Sequence, residues 1–121
     1  NEADNLLAVF GDAQQAVRAA LAMLQSAASA SGGNVPAIVF SIGIDFGEVL
    51  LIEHADCFGD AVNLAYKLGE DIARPGEVLV TQAVHDQLRG GTGLAGVQLQ
   101  EATVSVSGLA VVAYTVVPAA P

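Results

Sequence analysis

Basic side chains are what this sequence has least of. Four Lys plus Arg stand against 13 Asp plus Glu, a formal charge of −9 at neutral pH. A nucleic-acid groove neutralises phosphates with clustered cations, and here there are none to cluster, so no nucleic-acid partner is expected. The same deficit disfavours anionic membrane surfaces. Cys57 is the single cysteine, which excludes an internal disulfide and any multi-cysteine metal knot. A reducing, cytoplasmic setting, alone or as part of a larger signalling protein, is the expectation compatible with it. Long apolar runs are missing too: Pro36 to Ile52 is broken by Ser41, Asp45, Gly47 and Glu48, so no direct membrane insertion is expected. There is no Gly-x-x-x-x-Gly-Lys-Ser/Thr phosphate loop and no Gly-x-Ser-x-Gly elbow. The first residues, Asn-Glu-Ala-Asp, form neither a signal peptide nor a Met start and read as a cut end.

What the sequence does hold is aliphatic. At 53% hydrophobic and 14% charged, its 121 residues suit one domain with a real core and argue against disorder. Leu6-Leu7-Ala8-Val9-Phe10 reads as a short buried strand behind an Asp4-Asn5 turn. Asp12 is placed to cap a helix in which Ala13, Ala16, Val17, Ala20, Leu21, Leu24, Ala27 and Ala28 repeat at helical spacing, ending near Gly32-Gly33. Residues 37–52 are β-rich, with Phe46-Gly47-Glu48 predicting a turn or bulge between two strands. A polar link leads into a helix that Asp60 is placed to cap and that runs to about Ala73, stopped at Arg74-Pro75-Gly76-Glu77. Val78-Leu79-Val80 is a strand, and Thr81 can cap a brief helix that Arg89-Gly90-Gly91 ends. Gln98 to Val106 and Leu109 to Val117 form a hairpin about Gly108. Helices alternating with mixed strands predict an α/β sandwich.

Chemistry has few places to sit. Asp60, Asn63 and Lys67 recur at i, i+3 and i+7, one polar line on one helix. On spacing alone a solvated face is the more economical reading, and a site the sharper one. Asp4, Asp45 and Asp56 are the acidic candidates, and two converging carboxylates can hold Mg²⁺ against phosphate oxygens. His54-Ala55-Asp56-Cys57 has metal-ligand residue types without a second pair. No base near Cys57 marks it as a nucleophile, and His85 on its short helix reads as structural or exposed.

At this point the residues resemble a family. Ala3-Asp4-Asn5-Leu6-Leu7-Ala8-Val9-Phe10 is similar to the Gly-Asp-x-x-x-Ala-x-Phe hairpin of class III nucleotidyl cyclases, and Asp12 to Leu24 to the helix that follows it there. Ile42-Gly43-Ile44-Asp45-Phe46-Gly47-Glu48-Val49 resembles their Gly-Ile-x-x-Gly-x-Val strand pair. Residues Asp56 to Leu68 are similar to Asp-x-x-Gly-x-x-Val-Asn-x-Ala-x-Arg-Leu, and Arg74 to Thr81 to the Pro-Gly strand after it. The matches are co-linear and cover most of the chain. The resemblance implies a ferredoxin-like α/β (α+β) sandwich, with helices packed on a mixed, mostly antiparallel sheet. Residues 1–121 would be its C-terminal two-thirds, a single cyclase homology domain incomplete at the N-terminal side.

Function follows as what the resemblance implies. Asp4 matches a metal-binding aspartate for Mg²⁺ or Mn²⁺, Asp56 the base reader in its adenine-selecting form, Asn63 the amide that positions the ribose, and Lys67 the arginine facing the phosphates. The expectation is an adenylate cyclase converting ATP to cyclic AMP and pyrophosphate. Its sites would lie between two domains, a homodimer or a pair with a second cyclase domain. The departures imply an alternative, a catalytically degenerate module for dimerisation or regulation. Lys67 is a flexible point charge where arginine offers a planar fork. Ala3 replaces a glycine, and the first metal aspartate and a base-reading lysine are not in the chain.

Overall fold

The computed structural model describes residues 7–30, 40–47, 50–52, 56–74, 76–89 and 96–118; Asp4 and the predicted caps at Gly32-Gly33 and Gly90-Gly91 lie outside them. For 50–52 and 56–58 the description is of the backbone alone. Element order is α1 (Ala13–Ala30), β1 (Ile42–Ile44), β2 (Leu50–Ile52), β3 (Asp56–Phe58), α2 (Asp60–Lys67), β4 (Val78–Thr81), α3 (Gln82–Arg89), β5 (Val97–Val106) and β6 (Leu109–Pro118). A single π-helical turn, Leu68–Ile72, prolongs α2.

Among the described residues four strands make the main sheet, in the order β1-β4-β6-β5. β1 runs parallel to β4, with Ile42 opposite Val78, while β4–β6 and β5–β6 are antiparallel. This is the mixed, mostly antiparallel sheet with packed helices that the resemblance implies. Alternation along β4 sends successive side chains to opposite faces. Val78 and Val80 join Val17 and Ala20 of α1 and Val84 and Leu88 of α3 in the larger core. Leu79 joins Leu68 and Val106 in a smaller one on the other face. Helices therefore cover both faces of the sheet. Asp12 caps α1 as expected, accepting the Gln15 N–H at 2.8 Å. Thr81 caps α3, its hydroxyl accepting the Val84 N–H at 3.4 Å. The β5–β6 turn at Ser107 (φ 53°) and Gly108 (φ 83°) puts both central residues at positive φ, as a tight twisted hairpin demands.

Two expectations are corrected. Residues 7–10 of the run read as a buried strand make no strand pairing, and Leu7, Val9 and Phe10 stand 41%, 49% and 42% exposed. A strand is a pairing, and among the described residues none lies hydrogen-bonded beside this segment. The second concerns the hairpin expected within 37–52. β1 does not pair with β2; β2 pairs antiparallel with β3, Leu51 opposite Cys57, in a separate two-stranded ribbon. The parallel pairing with β4 places Ile44 within the core, an option that local periodicity does not reveal.

Candidate functional site

The site is built on α2, and a glycine contact fixes where α2 lies. A Cβ on Gly43 of β1 would stand 2.4 Å from the Ala65 carbonyl oxygen, 2.5 Å from the Gly69 N and 2.6 Å from the Leu68 Cβ. Only glycine admits a helix backbone this close to a strand. Leu68, fully buried under the sheet, is the second anchor. Gly59, with φ 148°, precedes the helix as its N-cap, and its carbonyl accepts the Asn63 N–H at 3.2 Å. Asp60 is therefore not the cap, as read from the sequence, but the first helical residue. It is exposed, with its carboxylate next to the helix N-terminus, where negative charge is favoured.

Asn63 and Lys67 are both exposed, one turn apart on the same flank. No hydrogen bond or ion pair to another described residue holds either side chain. Lys67 ends the regular helix, and the π-helical turn begins at the next residue. The backbone of Asp56 lies in β3, opposite Ile52 and four residues before α2 begins. Asn63, Lys67 and the Asp56 backbone thus belong to one short stretch of ribbon and helix. Asp4 cannot be placed with them, because it lies outside the described residues.

Asp45 is engaged elsewhere. Its Oδ1 accepts the Thr81 hydroxyl at 2.5 Å and the Phe46 N–H at 2.8 Å, bracing the end of β1 against β4. A further polar group joins α3 to β6. Tyr114 donates to Gln82 Oε1 at 2.9 Å, Gln82 Nε2 donates to Asp86 Oδ1 at 2.9 Å, and the His85 ring stacks on Tyr114 at 4.2 Å. Both arrangements tie elements together, and neither includes Asn63 or Lys67. Sequence reasoning also missed a cleft of about 620 Å³ between residues 7–13, β1, α1 and the other flank of α2. Its charged lining residues are Asp12, Asp45 and Glu70, and no Lys, Arg or His lines it among the described residues. The run of apolar residues at 6–10 was the sequence signal for it.

With this geometry in view, comparison with known proteins places the chain in a class. Residues 6–117 match the family model described as the Adenylate and Guanylate cyclase catalytic domain, and the chain belongs to that family. It is 38% identical over 92 residues to a Rhizobium meliloti (strain 1021) protein named "Putative adenylate cyclase 3", covering 74% of this chain and 15% of that protein. It is also similar to the crystal structure of an adenylate/guanylate cyclase/hydrolase from Silicibacter pomeroyi, with a TM-score of 0.72 and 29% identity. That match covers 92% of this chain and 66% of the other, so the chain spans only part of the length of both relatives. Among the described residues no helix is long and apolar enough to cross a membrane.

Proposed function

We propose that the chain contributes one half of an adenylate cyclase site, converting ATP to cyclic AMP and pyrophosphate at the interface of a homodimer or of a pair with a second cyclase domain. The observation that carries this reading is the unengaged, exposed pair Asn63 and Lys67 on a helix pinned to the sheet, in a chain of the cyclase family. In the reaction the ribose 3′-oxygen attacks its own α-phosphorus. The O3′–P bond forms, the bond from that phosphorus to the bridging oxygen breaks, the hydroxyl proton passes to solvent, and pyrophosphate leaves with the electron pair. Asn63 orients the ribose, and the Lys67 ammonium offsets charge developing on the phosphates. Asp56 accepts from the adenine amino group, which selects ATP over GTP.

Among the described residues no group of three or more His, Cys, Asp and Glu converges. Asp4 is the carboxylate proposed to hold Mg²⁺ or Mn²⁺, which when bound supplies positive charge at the phosphates. Lys67 in the arginine position supports a second reading, a regulatory dimerisation module without turnover. Cyclic AMP formation from ATP and Mn²⁺ by the complete domain, beside its Asp4→Ala variant, separates the two. Turnover that the substitution abolishes supports the cyclase; equal background in both leaves the regulatory module.

A further inference from the structure

The ladder between β1 and β4 runs from Ile42 opposite Val78 to Ile44 opposite Val80, so the next register position sets Asp45 opposite Thr81. There a side-chain bond takes the ladder's place. The Thr81 hydroxyl, on a residue 4% exposed, donates to Asp45 Oδ1 at 2.5 Å. The same oxygen accepts the Phe46 N–H at 2.8 Å, the first amide of the chain as it leaves the sheet. Thr81 is held from its other side as well, because its oxygen accepts the Val84 N–H and caps α3. One carboxylate oxygen therefore ties the departing chain to a buried hydroxyl that is itself fixed. Gly47 follows, and a Cβ on it would stand 3.3 Å from the Ala61 Cβ in the first turn of α2. Residues 48 and 49 alone then separate Gly47 from β2.

Among the described residues the ribbon of β2 and β3 pairs with no strand of the main sheet. Two short strands hold little order by themselves, so the roots of the ribbon set where it points. Its exit root is Gly59, the N-cap of α2, a helix that the Gly43 contact already pins. Its entry root is the Asp45 clasp. We propose that Asp45 is a positioning residue for recognition of the nucleotide base: its hold on Thr81 and Phe46 fixes the entry root of the ribbon, and with it the place of Asp56 relative to Asn63. That role rests on reading Asp56 as the base reader. Asp45 acts from a distance, since it lines the cleft on the flank of α2 away from Asn63.

Asp45→Ala removes the acceptor, whereas Asp45→Asn keeps an oxygen that can accept both bonds. Cys57 is the single cysteine and lies in β3, so spin labels on Cys57 and on Arg18→Cys, an exposed position of α1, report the ribbon against the body of the protein. The distribution of distances between the labels is expected to widen about twofold or more in Asp45→Ala and to stay as in the unsubstituted chain in Asp45→Asn. Base preference is read by equilibrium dialysis of the complete domain with Mn²⁺ and 3′-deoxy-ATP or 3′-deoxy-GTP, which cannot cyclise. Preference for the adenine nucleotide is expected to fall about tenfold in Asp45→Ala and to return in Asp45→Asn. An unchanged distance distribution in Asp45→Ala overturns the proposal whatever happens to the melting temperature, because Asp45 then only braces the sheet. A widened distribution with unchanged preference overturns it too, and places the fault in Asp56 as base reader rather than in the clasp. No binding of either nucleotide by the unsubstituted domain removes the reading on which the role of Asp45 rests, and that role with it.

Discussion

Asn63 and Lys67 differ in what their loss would remove. An amide that orients the ribose acts through directed hydrogen bonds, and deleting one such group from a preorganised site typically costs 10²–10³ in kcat, about 3–4 kcal/mol. Asn63→Ala in the complete domain is therefore expected to lower cyclic AMP turnover about a hundredfold with an unchanged melting curve, since Asn63 is exposed. Lys67 carries the right charge on the wrong shape. Lys67→Arg restores a fork that can hold two phosphate oxygens at once, and turnover measured with ATP and Mn²⁺ is expected to rise. A fall would assign lysine a role that charge and reach do not explain. That Asn63 and Lys67 lie one turn apart on one flank of α2 was legible from spacing, because helical periodicity fixes relative direction. Asp60 shared the same line and was misread as the cap, since the cap at Gly59 depends on its φ of 148°, which no side-chain pattern announces.

At the scale of elements, the position of α2 rests on two contacts far apart in sequence. Gly43→Ala forces a Cβ against the backbone of residues 65 and 69, which neither α2 nor β1 can yield without moving. Overpacking of this kind costs 1–3 kcal/mol and occasionally more, so a loss of about 3 kcal/mol is expected in urea unfolding, with cyclase activity falling too because α2 is displaced. Leu68→Ala empties a fully buried position and is expected to cost about 2–5 kcal/mol in the same measurement. Elements held by local chemistry were readable in advance: α1 from its apolar stripe and Asp12 cap, α3 from Thr81, the β5–β6 hairpin from Gly108. The pairing of β1 with β4, and of β2 with β3, was not. Pairing is chosen by which strand buries more apolar surface, and β1 gains that from residues more than thirty positions away.

For the whole molecule, the acidic balance and the division of the proposed site point to one test. A chain of net charge −9 repels a nucleotide triphosphate at long range, so productive binding has to come from a few placed groups and bound cations rather than from a broad basic field. If Asp4 of one protomer and Asn63 with Lys67 of its partner form each site, a symmetric dimer holds two sites that each need both chains. Asp4→Ala and Asn63→Ala then disable different halves. Each variant of the complete domain is expected to be nearly inactive alone. After mixing and exchange of subunits, half of the dimers are mixed, and each mixed dimer contains one site with all of its residues intact. The mixture is therefore expected to recover about a quarter of the unsubstituted turnover per mole of protein. Recovery that follows the fraction of mixed dimers, measured as cyclic AMP released against the ratio of the two variants, supports a shared site. A mixture no more active than its parts would place Asp4 and Asn63 in the same half, and the division between protomers would have to be abandoned.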